Sequence, residues 1–178
     1  SPAPAEPPEP VAETKAGMPP ASTEIHAHME EHFVALTSAR NAVISGDLDT
    51  ARERFGWLAT HETTDELPAA WTVFVDAMRE AASQAAKADD VEGLARGVAY
   101  VASECGSCHD SMGTGPLYAT ETSASEGGKV VAHMIRHNEA SEQMWQGLIS
   151  GDDKRWLSGA SALADQEPLR ELGADHPV

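Results

Sequence analysis

Cys105-Gly106-Ser107-Cys108-His109 is the stretch of sequence from which the organisation of this chain follows. Cys-x-x-Cys-His is the attachment signature of a c-type haem, in which two thiols bond to the porphyrin and the adjacent imidazole ligates the iron. Residues three and four apart share one face of a helix, so Cys105, Cys108 and His109 can all point the same way. The motif therefore predicts one covalent haem c, with His109 as the proximal ligand.

Other uses of these two cysteines compete with haem attachment. Cys105 and Cys108 are the only cysteines in 178 residues, so neither has another cysteine as partner. A redox dithiol is expected in a strand–helix context, and a zinc site needs two further ligands nearby. A structural disulfide is the third alternative. Haem attachment is the interpretation that also uses His109.

Composition limits the fold class, the partners and the location. Aromatic residues make up 5% of a chain rich in Ala, Glu and Asp, which favours an all-α fold. The net charge of -17 argues against nucleic acid or an anionic membrane surface as partner. It fits a carrier whose redox partner has a basic docking surface, although many secreted proteins are acidic without such a role. Covalent haem attachment occurs outside the cytoplasm, so we expect an exported, periplasmic or otherwise extracytoplasmic protein.

The first residues differ in composition from the rest. Residues 1–21 hold seven of the eleven prolines, and we expect a disordered, Pro-rich tether there. If a lipidated cysteine preceded Ser1 in the precursor, this tether would be the spacer from a membrane anchor.

Helical periodicity and capping signals predict an up-down four-helix bundle over residues 22–118. Four apolar-periodic segments carry helix start and stop signals. They are a first helix from Thr23 to Ser45, a second after Asp47, a third from Pro68, and a fourth from Asp89 or Asp90 into the haem motif. Gly93 and Gly97 on the fourth helix either admit a close neighbour or merely weaken the helix.

An internal repeat predicts an extra helical hairpin over residues 126–167, followed by a tail at 168–178. Twelve of the 36 positions from 27 to 62 are identical to the residue 105 further on, without a gap. His28, Met29 and His32 align with His133, Met134 and His137. We interpret this as an incomplete duplication of the first hairpin.

The placement of the motif resembles the cytochrome c-prime class of helical c-type cytochromes. The resemblance covers about residues 23–112 and rests on a haem motif at the end of the fourth helix of a bundle. It implies that the iron lies between the motif histidine and a residue near the start of the first helix, where the class usually has Met or an apolar residue. Here that region reads His28-Met29-Glu30-Glu31-His32.

The longer pattern is similar to a group of exported bacterial cytochromes. Its landmarks are His28-Met29-x-x-His32-Phe33, Gly46-Asp47-Leu48, the haem motif, and His133-Met134-x-x-His137 ahead of Met144-Trp145. Some members of the group carry a second haem-bearing half. The resemblance then implies that this chain is the first haem domain plus part of a second.

The sixth iron ligand is expected from the first helix. The end of the fourth helix lies beside the start of the first in an antiparallel bundle, so residues 28–32 are at the right height. Neutral imidazole is a good iron ligand, which makes His28 or His32 the expected distal ligand and Met29 the next candidate. The alternative is that one or both histidines lie at the rim of the core, with the polar end of the ring exposed to solvent.

The remaining candidates are a second histidine pair and a loop. His133 and His137 could hold zinc, nickel or copper, supply a ligand to a second haem, or be packing residues left from the duplication. The Gly115-Pro116 loop is similar to one in small globular cytochromes, where a proline carbonyl accepts the proximal histidine N–H.

These patterns predict an electron carrier rather than an enzyme. No Ser–His–Asp order, phosphate loop or paired-carboxylate pattern stands out in the sequence. Two filled axial positions would suit outer-sphere transfer of single electrons, with a bis-histidine iron at lower potential than a His/Met iron. The alternatives are a gas-binding or gas-sensing haem protein with an open sixth position, and a periplasmic metal-binding module that uses the two histidine pairs.

Overall fold

A computed structural model describes residues 22–63, 67–119 and 128–164 of the chain. The described residues form α-helices and one short 3-10 helix, without a β-strand. The predicted all-α class is therefore confirmed. The predicted tether at 1–21 and the tail at 168–178 lie outside the described residues, as does the end of the predicted second hairpin.

Several helices begin or end at a capping residue that the sequence shows. They are α1 (Thr23–Ser45), α2 (Leu48–Thr60), α3 (Thr72–Ala85, preceded by the 3-10 turn Ala69–Trp71), α4 (Val91–Met112), α5 (Lys129–Ser150) and α6 (Asp153–Ala164). The Ser22, Asp47 and Asp90 side chains each accept a backbone N–H of the first helical turn. Gly46 and Gly151, with φ of 80° and 71°, end α1 and α5 in the left-handed region.

The first four helices form a closed bundle. Each of α1, α2 and α3 packs against the next helix along the chain, and α1 packs against α4. Phe55, Leu94 and Val101 lie at the centre of the core and are fully buried. Met29 and Val43 of α1 are half-buried, and the buried residues of this helix are Ile25, His28, His32, Ala35, Leu36, Ala39 and Ala42.

The second pair of helices packs on the outside of this bundle. α5 and α6 form a hairpin, and α5 lies against α4. Arg40 of α1 donates two hydrogen bonds of 3.0 Å to Glu142 of α5 and lies over the Trp145 ring at 4.7 Å. Both hairpins turn through a left-handed glycine followed by aspartate, but their descent from one duplicated unit stays a prediction. None of the described helices is long and apolar enough to span a bilayer.

Gly97 of α4 lies directly against the end of α3. Gly97 is buried, and a Cβ added to it would overlap the Cβ of Ala85 and lie 3.4 Å from Cζ of Phe55. Of the two roles that the sequence leaves open for Gly97, the structure supports the close approach of a neighbouring helix. Gly56, inside α2, has nothing within 4 Å of the same position.

These two glycines make a matched test of the packing. Gly97→Ala should lower the free energy of unfolding by about 1–3 kcal/mol, because the added methyl forces α3 away from α4. Gly56→Ala should raise it by about 0.5–1 kcal/mol, because alanine is the better helix former and has room here. Denaturant unfolding of both variants measures the difference, and equal effects would contradict the packing described.

Candidate functional site

The haem motif occupies the last turns of α4. α4 continues through Cys105, Cys108 and His109 to Met112, and Gly113, with φ of 66°, ends it. The two thiols and the imidazole are half-buried, and neither cysteine is in a disulfide. The helical spacing that the sequence indicates therefore brings all three side chains to one side of α4.

An apolar cavity lies beside the motif. Its volume is about 410 Å³, and Cys105, Cys108 and His109 are among the residues that line it. The remaining walls are mainly large apolar side chains from α1, α3 and the segment after α4. They include Ile25, Met29, Phe33, Leu36, Trp71, Phe74, Val75, Met78, Pro116 and Tyr118.

The pKa values of the two thiols are shifted in the opposite direction from those of a redox dithiol. Burial raises the pKa of Cys105 to about 12 and the pKa of Cys108 to about 11. A reactive dithiol has a lowered thiol pKa, commonly at a helix N-terminus, whereas these cysteines lie near the C-terminal end of α4. Both thiols are therefore neutral at physiological pH, which does not favour thiol–disulfide exchange.

His109 is oriented by α5, which the sequence did not indicate. Its Nδ1 lies 2.7 Å from the backbone oxygen of Ile149 and donates a hydrogen bond to it. This bond fixes the neutral tautomer and leaves Nε2 as the nitrogen with a lone pair, which is how proteins prepare a metal-ligating histidine. Burial lowers the pKa of His109, which also favours the neutral ring.

Pro116 is therefore not the acceptor that the loop resemblance suggested. The loop packs on the imidazole instead, since a Cβ at Gly115 would lie 2.9 Å from both Cβ and Cγ of His109. Gly115 has a φ of 138°, which a residue with a side chain rarely adopts. Pro116 lines the cavity as part of this cover.

The contact between α4 and α5 depends on a glycine inside the motif. Gly106 is buried, and a Cβ there would overlap the carbonyl oxygen of Leu148 and lie 3.1 Å from the backbone nitrogen of Gly151. The two backbones therefore touch, which brings the Ile149 carbonyl within reach of His109. Ser107, the other middle residue of the motif, is exposed.

The three candidates for a distal ligand do not lie in the same place. Met29 and His32 line the cavity with the motif residues, while His28 is not among the cavity-lining residues. His32 also faces a second group of rings, with its ring centroid 4.3 Å from that of His28. Of the three, Met29 and His32 therefore share the cavity with His109, and His26 of α1 lines it as well.

His28 and His32 belong to a cluster completed by His61, which sequence reasoning missed. One ring nitrogen from each of these three histidines lies within 4.8 Å of the others. Nε2 of His28 and Nε2 of His32 are buried without a hydrogen-bond partner. An unmet buried polar atom costs about 1–3 kcal/mol. The sequence contained one signal for this contact: His61 directly follows α2, and the end of α2 lies beside the start of α1 in an antiparallel hairpin.

His133 and His137 are arranged differently. His133 is half-buried and His137 exposed, and their ring centroids are 6.4 Å apart. Neither is among the residues that line the cavity, and no third ligand joins them among the described residues. This pair therefore does not form a three-histidine group like that of His28, His32 and His61.

Comparison with known proteins adds no identification. No protein-family model, no curated protein and no solved structure matches the chain. The site is therefore interpreted from its own residues.

The two middle positions of the motif test the contact between α4 and α5. Gly106→Ala should lower the free energy of unfolding by about 1–3 kcal/mol, because its methyl group forces the end of α5 away from α4. Ser107→Ala should change stability by less than about 0.5 kcal/mol, because the side chain is exposed. Denaturant unfolding measures both, and a neutral Gly106→Ala would contradict the backbone contact.

Proposed function

We propose that the chain is an exported c-type cytochrome that carries single electrons. Haem c would be attached through Cys105 and Cys108, with His109 as the proximal iron ligand. The observation that carries the proposal is the shared apolar cavity of about 410 Å³ that all three motif residues line. Its volume lies within the range of about 300–1,000 Å³ that is usual for pockets holding cofactors and other small ligands.

The residues around the cavity fit a porphyrin. Trp71 of the 3-10 turn and Phe74 and Met78 of α3 supply an apolar wall. His109 has the tautomer that leaves Nε2 for a metal, because Ile149 accepts from Nδ1. Bound haem would supply a one-electron iron couple, while these side chains exclude water from it and tune its potential.

We propose Met29 as the group opposite His109, in place of the histidine that the sequence favoured. Met29 lines the cavity, whereas His28 is not among its lining residues and His32 also contacts the other two rings of the histidine cluster. Thioether ligation favours the reduced iron, so the potential would be higher than that of a bis-histidine iron.

The charge of the protein suggests how a partner would dock. Glu30 is exposed and Glu104 half-buried, and both line the cavity. The whole chain carries a net charge of -17. A redox partner with a basic surface would be attracted to this edge, and the attraction would weaken as salt screens it. Export remains part of the proposal, because haem c is attached outside the cytoplasm.

Haem attachment is tested by producing the full chain with an export signal and the haem-attachment machinery. The intact chain should gain the mass of one haem and a Soret band, both resistant to denaturation. The Cys105→Ser/Cys108→Ser double variant should lose both, because no thioether bond can form. A His133→Ala/His137→Ala variant is the control and should retain them.

Mass spectrometry and a denatured-protein spectrum give the result directly. An intact chain that leaves the periplasm colourless, with two unmodified thiols, would overturn the proposal. Haem retained by the double serine variant after denaturation would equally contradict attachment at Cys105 and Cys108.

The distal ligand is tested by two substitutions in the haem-loaded chain. Met29→Leu preserves side-chain volume but removes the sulfur, so the ferrous protein should become five-coordinate and bind carbon monoxide. His32→Gln should leave the low-spin spectrum and its resistance to carbon monoxide unchanged. Optical titration of ferrous protein with carbon monoxide measures both effects.

The opposite outcome for this pair would assign His32 to the iron, as the sequence first indicated. Ready binding of carbon monoxide by the unsubstituted chain would instead favour the gas-binding alternative, in which the sixth position is open. The three results therefore distinguish a site with Met29 on the iron, a site with His32 on the iron, and a site with no second protein ligand.

A further inference from the structure

The three imidazoles of the histidine cluster converge from two helices. His28 and His32 lie one turn apart on α1, and His61 immediately follows α2. The ring centroid of His61 is 5.0 Å from that of His28 and 5.3 Å from that of His32. One nitrogen of each ring lies within 4.8 Å of the other two. This is a three-sided arrangement of nitrogen donors.

Two of the three imidazoles have a ring nitrogen that makes no hydrogen bond. His28 and His32 are each only 7% exposed, and the Nε2 atom of each is buried without a hydrogen-bond partner. Burial lowers the pKa of both rings, for His32 to about 3, so both are neutral at physiological pH. A neutral imidazole with an unused nitrogen is the form in which histidine binds a metal.

The third histidine is held in place by its neighbours. Trp57 stacks on the His61 ring at 3.9 Å between centroids, and Arg79 of α3 donates to the His61 backbone oxygen. The Glu31 carboxylate lies 3.1 Å from Nε2 of His61. A carboxylate that accepts one ring N–H orients a metal-ligating histidine and leaves its other nitrogen for the metal.

We propose that His28, His32 and His61 bind a divalent metal ion of the zinc class, at a site that adjoins the haem cavity at His32. Imidazole suits zinc, copper and nickel, and zinc readily takes three histidines with one position left for water. Tetrahedral Zn–N bonds of about 2.0–2.1 Å place ligand nitrogens about 3.3 Å apart. The rings therefore need only to close together around the ion, which side-chain rotation can supply.

One negatively and one positively charged side chain lie beside the site. Glu31 brings a carboxylate to His61, and Arg79 brings one positive charge whose Nη2 is directed at the His61 carbonyl oxygen. The Arg79 charge lowers the pKa of His28 and of His32, and the Glu31 carboxylate acts against it at His28.

The chain contains its own control for this geometry. His133 and His137 on α5 have the same spacing as His28 and His32, but their ring centroids are 6.4 Å apart and no third ligand joins them among the described residues. In the 105-residue repeat, the position that corresponds to His61 is Gln166. A site that depends on the third histidine should therefore exist only on the first hairpin.

The test uses the full-length chain with Cys105→Ser/Cys108→Ser, which removes both thiols as competing ligands and makes the result independent of haem attachment. Calorimetry and equilibrium dialysis with zinc alone should give one ion per chain. Adding His61→Ala should weaken that binding by roughly 100-fold or more, since loss even of an outer partner costs about 10–100-fold. Adding His133→Ala/His137→Ala should leave the affinity unchanged.

The absorption spectrum of bound cobalt distinguishes a metal-ligating His61 from a His61 that only supports the fold. Cobalt(II) added to the same haem-free chain should give the absorption bands of a tetrahedral site, and His61→Ala should abolish them. Helical circular dichroism without metal verifies that the variant folds, and His61→Gln serves in its place if it does not.

Three results would overturn the proposal. They are the absence of zinc binding by the serine variant, binding that is lost with His133 and His137 instead, and a folded His61 variant that binds zinc as tightly as its parent. Because the thiols are absent throughout, none of these results depends on whether the wild-type chain carries haem.

Discussion

The 2.7 Å hydrogen bond from His109 Nδ1 to the Ile149 carbonyl is the interaction on which the arrangement of the candidate haem site depends. It exists only because α4 and α5 approach to backbone contact at Gly106 and Gly151. A side chain at Gly106 would separate the helices and remove the acceptor. The second hairpin therefore has a clear structural role, since it orients the imidazole that the motif supplies.

α1 presents two different chemistries on adjacent parts of its surface. Met29 and Phe33 face the apolar cavity beside the motif, while His28 contributes to the histidine cluster with His61. His32 lies at the boundary between the two and lines both. A helix can serve two sites in this way because successive residues are about 100° apart around its axis. The proposed haem and metal sites would thus share one element without sharing their ligands.

Much of the fold could be predicted, because its determinants are local. Ser22, Asp47 and Asp90 cap helices by bonding to backbone N–H groups three residues on, so the sequence shows where α1, α2 and α4 begin. The motif cysteines and His109 lie on one side of α4 because helical spacing requires it. The contribution of His61 was missed, since it depends on how α2 packs against α1. The Ile149 carbonyl was also missed, because a backbone acceptor leaves no mark in the sequence.

The sequence by itself determined the all-α class, the helix boundaries and the grouping of Cys105, Cys108 and His109, since these follow from periodicity and contacts within a few residues. Only the tertiary structure decided which α1 residues line the cavity, which carbonyl orients His109 and which third histidine meets His28 and His32. Those outcomes depend on how far each helix rotates about its axis and how closely two backbones approach. Packing sets both quantities, through small residues such as Gly106 and Gly97.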